Sequence, residues 1–134
     1  MKTYVLDASA LFAFLKGRPG ALKVRELVLE AHRGRARLLM SAVIYGEVYG
    51  TFLREFGPQP ALAAMYAVRP LPVEMCDATP QRSLQAANIK NTYKLYYVDS
   101  FAAALAVEHK ATLVTSDEDF RRLGHGFPII WLKP

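Results

Sequence analysis

TYVLDASALFAFLK, residues 3–16, passes from a four-residue apolar run through Asp7 into a segment of helical spacing. The pattern returns at ATLVTSDEDFRRLG, residues 111–124, where another apolar run ends in acids. Between the two, short apolar runs alternate with longer stretches of helical period, which is the pattern of βα units wound around a parallel sheet with right-handed crossovers. The spacing predicts strands at 3–6, 37–41, 71–76, 111–116 and 128–132. Pro72 suits the third of these only if that strand lies at an edge. Helices are expected over 9–16, from Pro19 or Gly20 to Ala31, over 42–56 with Ser41 as its cap, over 60–68, from Thr79 or Pro80 to about Tyr93, and over 98–110, with a short helix or turn at 117–124.

A chain of 134 residues fits one domain, taken here as residues 1–134, with no repeat, low-complexity segment or linker. A domain of this size removes about two thirds of its unfolded surface from water. No apolar run reaches the roughly 20 residues that a membrane span needs, and Asp7 interrupts the first apolar run before it resembles a secretory signal. The single cysteine, Cys76, makes no internal disulfide and is read as a core residue in a cytoplasmic protein. Lysine and arginine number 17 against 12 acids, a net charge of +5 that favours polyanions without selecting one. His32, His109 and His125 show no ligand spacing, and no phosphate-binding glycine loop or nucleophile elbow is present.

Four acids stand where acids are unfavourable. Asp7 follows the first strand, at the rim where parallel strands open a ligand crevice, although an aspartate there also caps a helix. Glu47 is the only charged residue between Arg37 and Arg54. A helix this apolar is expected to be largely buried, and glutamate is seldom buried without a partner; an edge position with a salt bridge is the plainer reading. Asp99 opens an alanine-rich helix with Ala102, Ala103 and Ala106 along its side, and either it or Ser100 could cap that helix. Asp117 follows the fourth strand as Asp7 follows the first, with Ser116 or Asp117 as a possible cap. Asp119 has a helix-dipole explanation of its own. If the first and fourth strands are neighbours, Asp7 and Asp117 converge, and Glu47 and Asp99 enter from flanking helices. Carboxylates so close repel, and a hard divalent cation such as Mg²⁺ or Mn²⁺ relieves the conflict.

YVLDASAL at the start, the Ser41 to Glu47 spacing, YYVDSFAAALA around Asp99 and TLVTSDEDF around Asp117 together resemble a PIN domain of the VapC toxin type. The resemblance covers nearly the whole chain. It implies a three-layer α/β/α sandwich with a central, mainly parallel sheet and a metal-dependent endoribonuclease with Asp7, Glu47, Asp99 and Asp117 as its acidic quartet. It implies Asp7, Asp99 and Asp117 as metal ligands, joined by Glu47 or Asp119, with Ser9 and Ser116 as polar support. It further implies an RNA substrate, a small antitoxin that covers the site, and a homodimer. One departure is Ala8, where relatives often carry a hydroxyl residue after the first acid.

RNA needs cations around an acidic pocket, and Lys16, Arg18, Arg82, Lys90 and Lys94 lie near loops or on the polar helix. Tyr45, Tyr49, Tyr93, Tyr96 and Tyr97 offer rings for base stacking or for the core. Two other classes compete. A receiver-type signalling domain would use Asp77 as phosphate acceptor but leaves Glu47 and Asp99 unexplained. A non-cleaving RNA- or protein-binding module would have little use for all four acids. Cleavage of DNA is a third alternative.

Overall fold

The computed structural model describes residues 1–132. Five strands, β1 (Lys2–Leu6), β2 (Ala36–Ser41), β3 (Val73–Cys76), β4 (Thr112–Thr115) and β5 (Ile129–Trp131), form one sheet in the order β3-β2-β1-β4-β5. Every strand pair is parallel. Six helices connect them: α1 (Ala8–Lys16), α2 (Ala21–His32), α3 (Ala42–Phe56), α4 (Pro58–Val68), α5 (Pro80–Tyr93) and α6 (Tyr97–His109). A 3₁₀ helix, Glu118–Leu123, links β4 to β5.

The chain steps outward from β1 to β2 and β3, then returns across the sheet to β4 and β5. With right-handed crossovers, α1 to α4 therefore cover one face and α5 with α6 the other. This gives three layers and puts the point where the winding reverses between β1 and β4, where the carboxyl ends of an open parallel sheet leave a crevice. The central strands are apolar because both of their faces are covered: Val5, Leu6, Leu38, Leu39, Met40, Leu113 and Val114 are all buried. In α6, Ser100 through Ala106 are all buried, since the helix lies between the sheet and α5, and its alanines let both neighbours approach closely.

Several boundaries move. The strand expected at 71–76 begins only at Val73, and it does lie at the sheet edge, which is how Pro72 is accommodated. Only Gly57 separates α3 from α4, because Pro58 opens α4 at its first position rather than Pro60. Gly20 precedes α2 with φ +95°, and a Cβ there would stand 2.9 Å from Leu132 Cβ, so both backbone conformation and space require glycine. Cys76 is half-buried in the edge strand and only borders the core, because β3 is covered less than the central strands.

Candidate active site

Asp7 lies one residue beyond Leu6, and Leu6 pairs with Val114, so Asp7 stands beside Thr115 at the carboxyl ends of β1 and β4. Its carboxylate is 3% exposed and held on three sides. Oδ1 accepts the Ser9 hydroxyl at 2.7 Å and the Ala10 N–H at 2.9 Å, so Asp7 is also the N-cap of α1. Oδ2 accepts the Thr115 hydroxyl at 2.5 Å. Both hydroxyls accept in turn: Ser9 Oγ from the Ser116 N–H and Thr115 Oγ1 from the Asp117 N–H, each at 2.9 Å. This chain of bonds ties the two acid-bearing loops together. Even so, burial pushes the Asp7 carboxyl from 3.8 up to about 6, against the lowering influence of Thr115, Ala10 and Ser9, with Asp117 adding to the rise.

Polar support for Asp7 thus comes from Ser9 and from Thr115, which the sequence reading missed. Ser116 contributes its backbone N–H, and its side chain is exposed. The distinction depends on strand register: Thr115 ends β4 directly opposite Asp7, while Ser116 has already left the strand.

Asp117 caps the 3₁₀ helix, its Oδ1 accepting the Asp119 N–H at 2.9 Å. The turn so formed gathers three half-buried acids, Asp99, Asp117 and Asp119, which present carboxylate oxygens within 4.8 Å of one another. Asp119 therefore joins the cluster, where the sequence left it in doubt. Asp99 sits in the first turn of α6 and does not cap it; Tyr96 occupies the cap position without a side-chain bond, and the Ser100 hydroxyl donates back to the Tyr96 carbonyl at 2.9 Å. Desolvation raises the Asp99 carboxyl to about 7, with Asp117, Glu47, Asp7 and Asp119 all pushing the same way.

Glu47 projects from α3, whose buried stripe is only Ile44, Val48 and Phe52. The helix is less enclosed than its composition suggested, and Glu47 is half-buried beside that stripe. Among the described residues it forms no ion pair, which removes the salt-bridge reading. Desolvation and Asp117 raise its pKa, and Arg54 offsets part of the rise. Five acids on four segments thus face one another electrostatically, and the donor set is oxygen only. Such a set fits a hard divalent cation, whose charge would stabilise the ionised carboxylates.

The expected basic rim is only partly assembled. Lys90 and Lys94, at the end of α5, line an open cavity of about 490 Å³ that has Asp119 in its wall. Arg122, which the sequence reading overlooked, lines the same cavity, donates to the Lys94 carbonyl at 2.8 Å and lies 3.8 Å from Asp119. Arg18 borders a smaller cavity with Ser9 and Ser116. Lys16 and Arg82 line neither of these cavities. Lys16 ends α1, where it pairs with Glu55 at 3.3 Å and lies over the rings of Phe12, Phe52 and Phe56. Arg82 forms a two-pronged pair with Glu108, which stands nine residues along α6 from Asp99, about 14 Å by helical rise. Of the tyrosines, Tyr45 and Tyr49 pack against the core, while Tyr93, Tyr96 and Tyr97 are exposed.

The PIN-domain family profile matches residues 4–126. The chain belongs to the PIN-domain family. Among curated proteins no match is found. This PIN domain is similar in fold to several solved structures. One is VapBC2 of Rickettsia felis bound to a promoter DNA fragment, with TM-score 0.77, 15% identity and coverage of 98% of this chain and 99% of that one. VapBC-1 of Haemophilus influenzae aligns with TM-score 0.68 and 24% identity over 97% and 98% of the two chains. Mycobacterium tuberculosis VapC20, described as a toxin that cleaves the sarcin-ricin loop, aligns with TM-score 0.71 and 18% identity over 90% and 95%. Among the described residues no helix is long and apolar enough to cross a membrane.

Proposed function

We propose that this PIN domain is a divalent-metal-dependent endoribonuclease acting as the toxin of a toxin–antitoxin pair. The observation that carries this reading is the convergence of Asp99, Asp117 and Asp119 beside the buried Asp7 and the half-buried Glu47 at the β1/β4 reversal. Mg²⁺ or Mn²⁺ bound there supplies positive charge for the phosphate and the transition state and eases the loss of a proton from water. Asp99, Asp117 and Asp119 are the residues that would hold the cation. Asp7 fixes the geometry of the cluster through the hydrogen bonds that link both loops, and its second oxygen faces Thr115. Glu47, whose pKa is raised, takes the proton of the attacking water at a carboxylate oxygen. The water oxygen bonds to phosphorus as one ester P–O bond breaks, and the leaving oxygen takes up a proton from solvent, which gives a phosphate end and a hydroxyl end.

The toxin role rests on the family and on fold-level likeness to chains solved in VapBC complexes. A small antitoxin and a second copy of the chain are the proposed protein partners. Leu84, Tyr97 and Val107 leave apolar area exposed on α5 and α6 that such contacts can use. Incubation of total RNA with the protein in Mg²⁺ or Mn²⁺, with fragment ends mapped, tests the activity. Discrete fragments are expected from the wild type and none from folded Asp7→Asn or Asp99→Asn. Cleavage by these variants at the wild-type rate would place the chemistry elsewhere. RNA bound but left intact in both metals would favour the non-cleaving module.

A further inference from the structure

We infer that the cavity between the end of α5 and the 3₁₀ helix is a subsite for the nucleotide adjacent to the cleaved bond: Lys90, Lys94 and Arg122 hold its phosphate and Tyr96 stacks on its base. This rests on the nuclease reading above and adds where the strand runs. The cavity, about 490 Å³, is lined by Lys90, Asn91, Lys94, Tyr96, Arg122 and Asp119. Because Asp119 also belongs to the acidic trio, the cavity and the proposed cation site share a wall. A strand lying across the trio therefore continues directly past three cations.

Two of the three charges in this cavity lack an acidic partner, as about half of the other described cations do, and only these stand together beside the acidic trio. Lys16, Lys23, Arg37, Arg82 and Arg121 each stand within ion-pair distance of a glutamate. Among the described residues Lys90 and Lys94 have no acidic partner, and both are exposed. Arg122 is oriented by its bond to the Lys94 carbonyl and is about half exposed at 51%, with Asp119 at 3.8 Å as a loose neighbour. A guanidinium fixed on one edge keeps its other donors for a phosphate oxygen. Tyr96 is 73% exposed on the same wall, with Leu95 buried beneath it to anchor the loop. Cations along a backbone track with an aromatic ring beside them are the components of single-strand binding, and Asn91 adds an amide within reach of a base edge.

The test uses the full chain and a labelled single-stranded oligoribonucleotide, bound in EDTA so that it stays intact, with affinity read by fluorescence anisotropy over a salt series. The double variant Lys90→Gln, Lys94→Gln is expected to lose at least about 10-fold in affinity at low salt. Its slope of log affinity against log salt is expected to fall by about 1.4, two charges at roughly 0.7 each. Tyr96→Ala is expected to weaken binding at least about 5-fold with the slope unchanged, and Tyr96→Phe to restore it. Lys110→Gln, at the far end of α6, serves as the control for general surface charge. An unchanged slope in the double variant, or an equal fall for Lys110→Gln, overturns the subsite. Cleavage of the same RNA in Mn²⁺ separates the two claims: cutting with unaltered binding in the double variant defeats only the subsite, and salt-sensitive binding at these residues without cutting defeats only the nuclease reading.

Discussion

Removing the charge of Asp7 is expected to stabilise the metal-free protein, although among the described residues Asp7 is the most extensively hydrogen-bonded acid. Its carboxylate accepts three bonds, yet burial raises its pKa from 3.8 to about 6. A shift of about two pH units corresponds to about 3 kcal/mol. With the native pKa above the unfolded one, that penalty is absent below the unfolded value, grows as pH rises through the interval, and is complete above about 6. Asparagine caps a helix as well as aspartate does and carries no charge. Asp7→Asn in EDTA is therefore expected to exceed the wild type by about 3 kcal/mol near pH 7.5 and by about half that near pH 5 in urea unfolding. Adding Mn²⁺ narrows the gap, because a cation held by Asp99, Asp117 and Asp119 beside Asp7 offsets the cost of its buried charge in the wild type and has no such charge to offset in the variant. An Asp7→Asn protein less stable than the wild type in EDTA near pH 7.5 would show that the hydrogen-bond cage outweighs desolvation, and the reasoning from burial would fail.

Three further outcomes follow from the same geometry. Thr115→Val leaves Asp7 Oδ2 without its donor and the Asp117 N–H without its acceptor. Urea unfolding is expected to show a loss of about 1–3 kcal/mol near pH 7.5 and a smaller loss near pH 5, where Asp7 is largely neutral; no change in stability would contradict the linkage between the two loops. Because the Asp99 pKa is raised to about 7, a cation must displace a proton below that pH. Calorimetry is expected to show Mn²⁺ affinity rising by up to about tenfold per pH unit and levelling above 7, with proton release near pH 6; a flat profile would count against Asp99 as a ligand. Gly20→Ala, at φ +95° and with Leu132 Cβ 2.9 Å from the added methyl, is expected to cost about 1–3 kcal/mol in the same unfolding assay.

Much of the architecture is legible in the chain because its signals are local. An apolar run that ends in an acid and continues at helical period, at Asp7 and again at Asp117, marks strand ends that face one way. The alternation of elements then gives a parallel sheet, and the structure supplies what alternation cannot, the adjacency of β1 and β4. Contacts made across that adjacency leave no local signal in the chain. Sequence alone does not separate Thr115 from Ser116, because only the Leu6–Val114 register shows which hydroxyl meets Asp7. Lys16 and Arg82 lie near loops in sequence, and only the fold shows that each pairs with a carboxylate, Glu55 and Glu108, at the far end of its helix or helix pair. Arg122 carried no sequence signal beyond its charge, since its position depends on a carbonyl 28 residues away. Glu47 stood out for the right kind of reason, a lone charge on an apolar helix, although that helix buries a single stripe and not its whole surface.

The most direct measurement is cleavage of a defined RNA by protein stripped with EDTA and then titrated with Mn²⁺. If the carboxylates around Asp99, Asp117 and Asp119 form the reactive centre, the stripped protein leaves the RNA intact and cleavage returns saturably with added metal. Cleavage undiminished in EDTA, or none at Mn²⁺ concentrations that calorimetry shows to saturate the protein, would contradict it.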